Sequence, residues 1–373
     1  MIRHIAWAAL SVSLVGSMAA NLTGAPLQPL SIGAKAPDFD LPGADGRRYS
    51  LKDFADARFL AVLFTCNHCP TAQVYEERFK RLVDDYKDKG VAFVAISPND
   101  PEAVRLDELG YTDLNDSLEE MTIRAEHRKF NFPYLYDGQT QQVSRAYGPV
   151  ATPHLFIFDA QRKLQYLGRI DDAEVEKRVT IRDARAALAA LVAGRPVPAP
   201  KTKTFGCSVK WSDKRAANEQ FMKRLAAEPV TVETVDVKGI KALLAGDPTK
   251  FRLINVWATW CGPCVVEFPE FVTINRMYRH RDFELVTISA DDPKRKTKVL
   301  SMLKKWQASN RNLLFDSTDT YKLIEALDPK WEGGLPYTML IRPGGEVVFR
   351  HQGAIDPLAL RRRIVSLLGP YKE

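Results

Sequence analysis

Val91-Ala-Phe-Val-Ala-Ile-Ser97-Pro-Asn-Asp-Pro101 is an apolar run that stops at a turn, and Phe283-Glu-Leu-Val-Thr-Ile-Ser289-Ala-Asp-Asp-Pro293 repeats it in the second half of the chain. Short apolar runs bounded by Asn, Asp and Pro read as buried strands. A match at this separation means that one supersecondary unit occurs twice. Upstream of each copy an apolar run leads into a Cys-x-x-Cys pair: Phe59-Leu-Ala-Val-Leu-Phe-Thr-Cys66 with Cys69, and Phe251-Arg-Leu-Ile-Asn-Val-Trp-Ala-Thr-Trp-Cys261 with Cys264. Downstream, Tyr134-Leu-Tyr-Asp137 is echoed by Leu313-Leu-Phe-Asp316. Each half then closes with a strand that starts after a proline, Thr152-Pro153 or Leu335-Pro336, followed by a turn and a second strand.

Helical spacing fills the gaps. Val74, Tyr75, Phe79, Leu82, Val83 and Tyr86 form a stripe after the first pair, and Val265, Phe268, Phe271, Val272, Asn275 and Met277 form one after the second, where Pro263 suits a first helical turn. Strands alternating with helices and ending in a hairpin predict an α/β fold class: two domains in tandem, each a central mixed β-sheet flanked by helices. A chain of 373 residues has the length for two such cores. The first domain is expected over 30–193 and the second over 230–373. Between them, 194–229 reads as a proline-rich linker, Gly194-Arg-Pro-Val-Pro-Ala-Pro200, and a helical connector. The first copy is longer by a segment around Leu106 to Glu126.

At the N-terminus, Arg3 and His4 precede the apolar run Ile5 to Val15, and Ser17-Met18-Ala19 follows. Residues 1–19 are therefore predicted to be a cleaved secretory signal, and no later stretch is long and apolar enough to span a bilayer. A periplasmic or secreted protein is expected, touching the membrane only if the signal stays attached. The 53 Lys and Arg against 46 Asp and Glu leave a net charge of +7, and the basic run Lys294, Arg295, Lys296, Lys298, Lys304, Lys305 has no nucleic-acid motif beside it. No nucleic-acid partner is expected.

Of the five cysteines, four form the two pairs and Cys207 is left over. A bond between residues three apart closes too small a loop to stabilise much, so the pairs point to redox chemistry rather than stapling. A cysteine at a helix N-terminus is stabilised as thiolate, the reactive form. The outer cysteines, Cys66 and Cys261, are expected to attack a partner disulfide, with Cys69 and Cys264 resolving the mixed disulfide. The expected partners are protein thiols and disulfides, with no metal and no cofactor beyond the redox-active disulfides themselves. Cys207 reads as a small buried hydrophobe, as an auxiliary thiol or resolving partner for Cys66, or as an intermolecular link. Two other functions stay open: a thiol peroxidase in the first domain, and a copper-binding redox module, because thiolates with His68 suit Cu(I).

The whole arrangement resembles the thioredoxin superfamily. The second half, with Trp257-Ala-Thr-Trp260-Cys261-Gly-Pro-Cys264, is similar to TlpA/ResA-type thioredoxins, with Trp260 as a wall of the site. That resemblance implies that Glu267 tunes thiol ionisation, against the alternative of a helix-surface glutamate, and that a membrane thiol reductant supplies electrons. The first half resembles the redoxin or AhpC/TSA-type peroxiredoxin branch through Thr65-Cys66-Asn-His-Cys69-Pro70, Asn99-Asp100-Pro101 and Phe132-Pro-Tyr-Leu-Tyr-Asp137, and Gly206-Cys207-Ser-Val-Lys-Trp211 is similar to the tail of such chains. It departs from the peroxidatic Pro-x-x-x-Thr-x-x-Cys pattern, since Leu63 stands three residues before Cys66. Pro153 and Pro336 match the family's cis-proline, which implies that the backbone of Thr152 and Leu335 pairs with an extended substrate segment. His154 reads as a neighbour of the first pair or as a surface strand residue. Between the cysteines, a His68 cation would favour the thiolate, making Cys66/Cys69 the more oxidising pair and Cys261/Cys264 the more reducing.

Overall fold

The computed structural model describes residues 27–369, so the predicted signal at 1–19 lies outside the described residues. The first half runs β1 (Asp40–Pro42), β2 (Arg48–Ser50), β3 (Phe59–Phe64), α1 (Pro70–Tyr86), β4 (Val91–Ser97), α2 (Leu118–Arg128), β5 (Tyr134–Tyr136), α3 (Gln142–Tyr147), β6 (His154–Phe158), β7 (Leu164–Gly168) and α4 (Asp183–Val192). After α5 (Arg215–Ala226) come β8 (Glu233–Val235), α6 (Val237–Leu244), β9 (Phe251–Trp257), α7 (Gly262–Tyr278), β10 (Phe283–Ser289) and α8 (Lys296–Lys305). The second half finishes with β11 (Arg311–Phe315), α9 (Thr320–Leu327), β12 (Tyr337–Ile341), β13 (Val347–Gln352) and α10 (Pro357–Leu368).

Strand order is β5-β4-β3-β6-β7 in the first sheet and β13-β12-β9-β10-β11-β8 in the second. In both sheets the central strand is parallel to its neighbours on one side and antiparallel to the closing hairpin on the other. The expected α/β class and tandem mixed sheets are borne out. β3 is buried along its whole length because helices cover both faces, which explains why Phe59-Leu-Ala-Val-Leu-Phe64 shows no polar alternation. The parallel neighbours need crossovers, and α1 and α7 supply them.

Two regions differ from a plain pair of beads on a linker. After Pro200 the chain does not hang free. Leu167 of β7 donates to the Pro200 carbonyl at 2.9 Å and accepts from the Thr202 N–H at 2.9 Å, and Cys207 bridges to Thr152. The prolines keep the strand extended, so its free backbone groups find partners along the edge of the first sheet.

The extra segment between β4 and β5 also has a packing role. Val104 and Leu109 join the same buried cluster as Phe271, Ile274, Met277 and Tyr278 of α7 and Leu360 and Ile364 of α10. Tyr278 donates its hydroxyl to Thr112 O at 2.8 Å, and Arg362 Nε lies 3.0 Å from Asp113. The insertion therefore joins the two halves through an apolar core with a charged rim.

Candidate active sites

The two central strands end at the same place on the fold. Phe64 pairs with Ile96 and with His154, the residue after Pro153; Val256 pairs with Ile288 and with Tyr337, the residue after Pro336. Five residues beyond Phe64 stands Cys69, and five beyond Val256 stands Cys261. Helix capping agrees. Cys69 is the N-cap of α1, its Sγ accepting from the Ala72 N–H at 3.4 Å, and Cys261 is the N-cap of α7, its Sγ accepting from the Cys264 N–H at 3.3 Å.

Of the first pair, the cysteine set at the helix terminus is thus Cys69, not the outer Cys66 expected to be the nucleophile. Cys69 holds the helix-terminal place of Cys261, Cys66 sits upstream in the place of Ala258, and Ala72 stands in the place of Cys264. The dipole and free N–H groups of α1 act on Cys69.

In the second site Cys261 and Cys264 are joined, with an S–S distance of 2.03 Å. Cys264 is buried, Trp260 is 63% exposed at the mouth, and Leu335 packs against the cysteine cluster. The preceding turn is held by Asp291, which accepts from the Thr259 N–H at 2.8 Å and the Thr259 hydroxyl at 2.6 Å. Glu267 is not a surface residue. It is buried, accepting from Asn255 Nδ2 at 3.3 Å and the Ile355 N–H at 2.9 Å. Burial raises its pKa, and the two hydrogen bonds and the His351 charge only partly oppose this.

The first site is closed. Cys66 and Cys69 are 3% and 0% exposed, and together with Ala72 they form a small cluster against which Cys207 packs. Cys66 Sγ lies 3.2 Å from the Thr152 hydroxyl; as a thiol, Cys69 donates to the Thr152 carbonyl, also at 3.2 Å. His68, read as a cation between the cysteines, is buried, with Nδ1 2.5 Å from Asp116 Oδ2. Burial opposes its charge, but the Asp116 carboxylate prevails and raises the His68 pKa. Burial likewise opposes the Asp116 charge, and His68, Asn99 Nδ2 at 2.8 Å and the Asn67 N–H at 2.7 Å hold its pKa low.

Burial also pushes the Cys66 thiol up, helped by the neighbouring Cys69 sulfur and the Asp116 charge. Cys69 is itself drawn well below its usual value, since the Cys207 and Cys66 thiols, the His68 charge and the Ala72 N–H together outweigh burial. The three sulfurs share one favoured thiolate, and it sits on Cys69.

Cys66 Sγ, a His68 ring nitrogen and an Asp116 oxygen lie within 4.8 Å of one another. Asp116 is already committed to His68, Asn99 and two backbone N–H groups, so the grouping is a charge pair that polarises the thiols. His154 is buried against Phe156, and burial pulls its pKa down to about 4, so it is neither a surface residue nor a cation. Thr152-Pro153 and Leu335-Pro336 are both cis, with Thr152 at the first cysteine cluster and Leu335 at the second. The two cysteine groups belong to separate buried clusters. Sequence reasoning missed Asp116 and Asn99. Asn99 sits at the end of the quoted repeat, in the place of Asp291, while Asp116 lies in the insertion, where no pattern marks it.

A dithiol group at the strand-to-helix turn of each of two such sheets defines a tandem thioredoxin-superfamily protein. The chain belongs to the AhpC/TSA family, whose pattern matches residues 32–167 and 231–350. It is 26% identical over 149 residues to the thiol-disulfide oxidoreductase ResA of Oceanobacillus iheyensis, covering 37% of this chain and 65% of that protein. It is 30% identical over 113 residues to ResA of Bacillus subtilis, covering 30% of this chain and 59% of that protein. The chain thus spans less than two thirds of either relative. Among solved structures, an uncharacterized conserved protein from Geobacillus kaustophilus is 39% identical with a TM-score of 0.44, covering 49% of this chain and 93% of that one.

Proposed function

We propose that this chain is an exported thiol-disulfide oxidoreductase of the periplasmic or extracellular space, and that its second domain exchanges disulfides with protein partners. The observation that carries this reading is the Cys261–Cys264 disulfide, with Cys261 capping α7 beside the exposed Trp260. Once reduced, by a membrane thiol reductant as in ResA-type systems, the Cys261 thiolate attacks one sulfur of a partner disulfide. A mixed disulfide forms and the partner's other sulfur leaves. Cys264 then attacks Cys261 Sγ, restoring the internal disulfide and releasing the reduced partner.

Insulin reduction by dithiothreitol, followed as turbidity, tests this on the full chain. Cys261→Ser should abolish the catalysed reduction and Cys69→Ser should leave it in place; the opposite pattern would reject the assignment. A second reading attaches to the first domain, because Cys66 lines a small cavity of about 10 Å³, the room of one water-sized molecule. Hydroperoxide consumption that needs Cys69 and ignores Cys261 would support a peroxidase there.

A further inference from the structure

We infer that the first domain carries its own substrate thiol: Cys207 occupies the place of a partner's cysteine, and Cys69–Cys207, rather than Cys66–Cys69, is the disulfide through which this site exchanges with dissolved disulfides. The inference rests on the oxidoreductase reading and assigns a substrate class to the site that reading leaves idle.

The first ground is a missing partner. On the common frame Ala72 stands where Cys264 resolves the second site, so the helix that activates Cys69 offers it no thiol. The second ground is the occupied edge. The Thr152 N–H donates to Cys207 O at 2.9 Å and the Cys207 N–H donates to Thr152 O at 3.2 Å. That backbone precedes Pro153, where an extended partner strand would pair. Among the described residues no such bridge is made at Leu335.

Third, the approach is close enough to require glycine. Gly206 has φ +139°, and a Cβ there would lie 2.0 Å from the Thr152 carbonyl oxygen. Fourth, the segment is tied down beyond Cys207, since the Lys210 N–H donates to Asn99 Oδ1 at 2.8 Å and Lys210 O accepts from the Asp100 N–H at 3.0 Å. The Cys207 side chain thereby packs against the cluster of Cys66, Cys69 and Ala72, and it is partly exposed whereas Cys66 and Cys69 are not.

Burial dictates the order of steps. A low-molecular-weight disulfide RSSR meets Cys207 first: the Cys69 thiolate takes the Cys207 proton, the Cys207–SR bond forms, the RS–SR bond breaks, and the first RS group leaves with that proton as RSH, freeing the Cys69 thiolate. The Cys69 thiolate then attacks Cys207 Sγ. The Cys69–Cys207 bond forms, the Cys207–SR bond breaks, and RS⁻ takes a proton from water. Two thiols are oxidised, RSSR is reduced to two RSH, and the reverse sequence reduces the site.

Reduced full-length protein is exposed to oxidised glutathione, quenched in acid, alkylated and digested with trypsin. Cys66 and Cys69 share the peptide 59–78, whereas Cys207 lies in 204–210. The expected product is 59–78 cross-linked to 204–210. It should persist in Cys66→Ser and be lost in Cys69→Ser, in Cys207→Ser and in Gly206→Ala, which displaces the segment without removing a thiol. A Cys66–Cys69 bond within 59–78, with Cys207 alkylated, would overturn the inference, as would the absence of any oxidised first-domain form. Insulin reduction through Cys261, run on the same samples, reports the folded chain and keeps failure here separate from failure of the oxidoreductase reading.

Discussion

Placed on one frame, the two thiol sites differ at almost every position that touches sulfur. Cys69 and Cys261 cap equivalent helices, but the residue before each is buried His68 in one and exposed Trp260 in the other. The turn before the cysteine is held by the Asp291 carboxylate in the second domain; in the first, Asn99 takes that place and Asp116 reaches in from the insertion. The second site joins its helix-capping cysteine to one a helical turn on, while the first surrounds its capping cysteine with cysteines from upstream and from the tail. One fold thus holds one cysteine pair beside an exposed tryptophan and another packed against a cysteine of its own chain. The determinants lie outside the Cys-x-x-Cys motif.

The largest break in this comparison should come from Asp116. It is fully buried with His68, so Asp116→Ala removes the carboxylate that favours the His68 charge and leaves several buried donors unpaired, and should cost the first domain about 3–5 kcal/mol. Asp291→Ala removes an acceptor from uncharged Thr259 and Ser289 donors only, and should cost about 1–3 kcal/mol. Denaturant unfolding of the two variants checks the order, and equal losses would mean that the two turns are held alike.

The pH dependence has a definite sign. The folded His68 pKa is raised, so its contribution is complete below the unfolded value of about 6.5 and is lost as pH rises through the folded one. The folded Asp116 pKa is lowered, so its contribution is present above about 3.9 and is lost as pH falls through the depressed value. First-domain stability should therefore decline above neutrality, and Asp116→Ala should flatten that decline.

The order of elements along the chain, the insertion and the two prolines are legible in the sequence because they rest on periodicity and on proline's lack of an N–H. The offset of the thiols was legible as well and is easily overlooked. Ten residues separate Phe59 from Cys69, as ten separate Phe251 from Cys261, whereas only seven separate Phe59 from Cys66. Matching motif to motif hides this, and matching strand to strand reveals it. The peroxidatic pattern stays unmet in the corrected frame, since Cys66 stands three residues before Cys69 and Val62 seven before. Asp116 and the return of Cys207 to Thr152 were not legible. Both depend on non-local contacts made by irregular chain, where local propensity carries no signal.

A smaller effect concerns redox potential. Stabilising the thiolate stabilises the reduced form and makes a couple more oxidising. Cys69 is held as thiolate by two neighbouring thiols, the His68 charge and the Ala72 N–H. With the cysteines of the other site replaced by serine, the first-domain couple should titrate at least about 30 mV above Cys261/Cys264, a tenfold difference in exchange equilibrium. Asp116→Ala should narrow the gap, because the His68 charge depends on Asp116. A gap of opposite sign would mean that the second site, not the first, stabilises its reduced form.

The smallest effect is expected at Glu267, the buried carboxyl of the second site. Its folded pKa is raised by burial, so it favours the folded state at low pH, and this contribution is lost as pH rises from the unfolded value of about 4.3 through the folded one. Glu267→Gln removes the buried charge but keeps an oxygen for the Ile355 N–H, and a turn of the Asn255 amide, which now points Nδ2 at Glu267, would bring its unpartnered Oδ1 to the new N–H group. The variant should therefore unfold within about 1 kcal/mol of the parent at neutral pH and lose this pH dependence. Insulin reduction separates structure from chemistry. If Glu267 only fills space, the pH profile of Cys261-dependent turnover will not move; if its ionisation acts on the Cys261/Cys264 pair, the profile will shift while the first domain's peptide cross-link stays the same. Movement of both would mean that the two sites are coupled through the insertion that packs against α7.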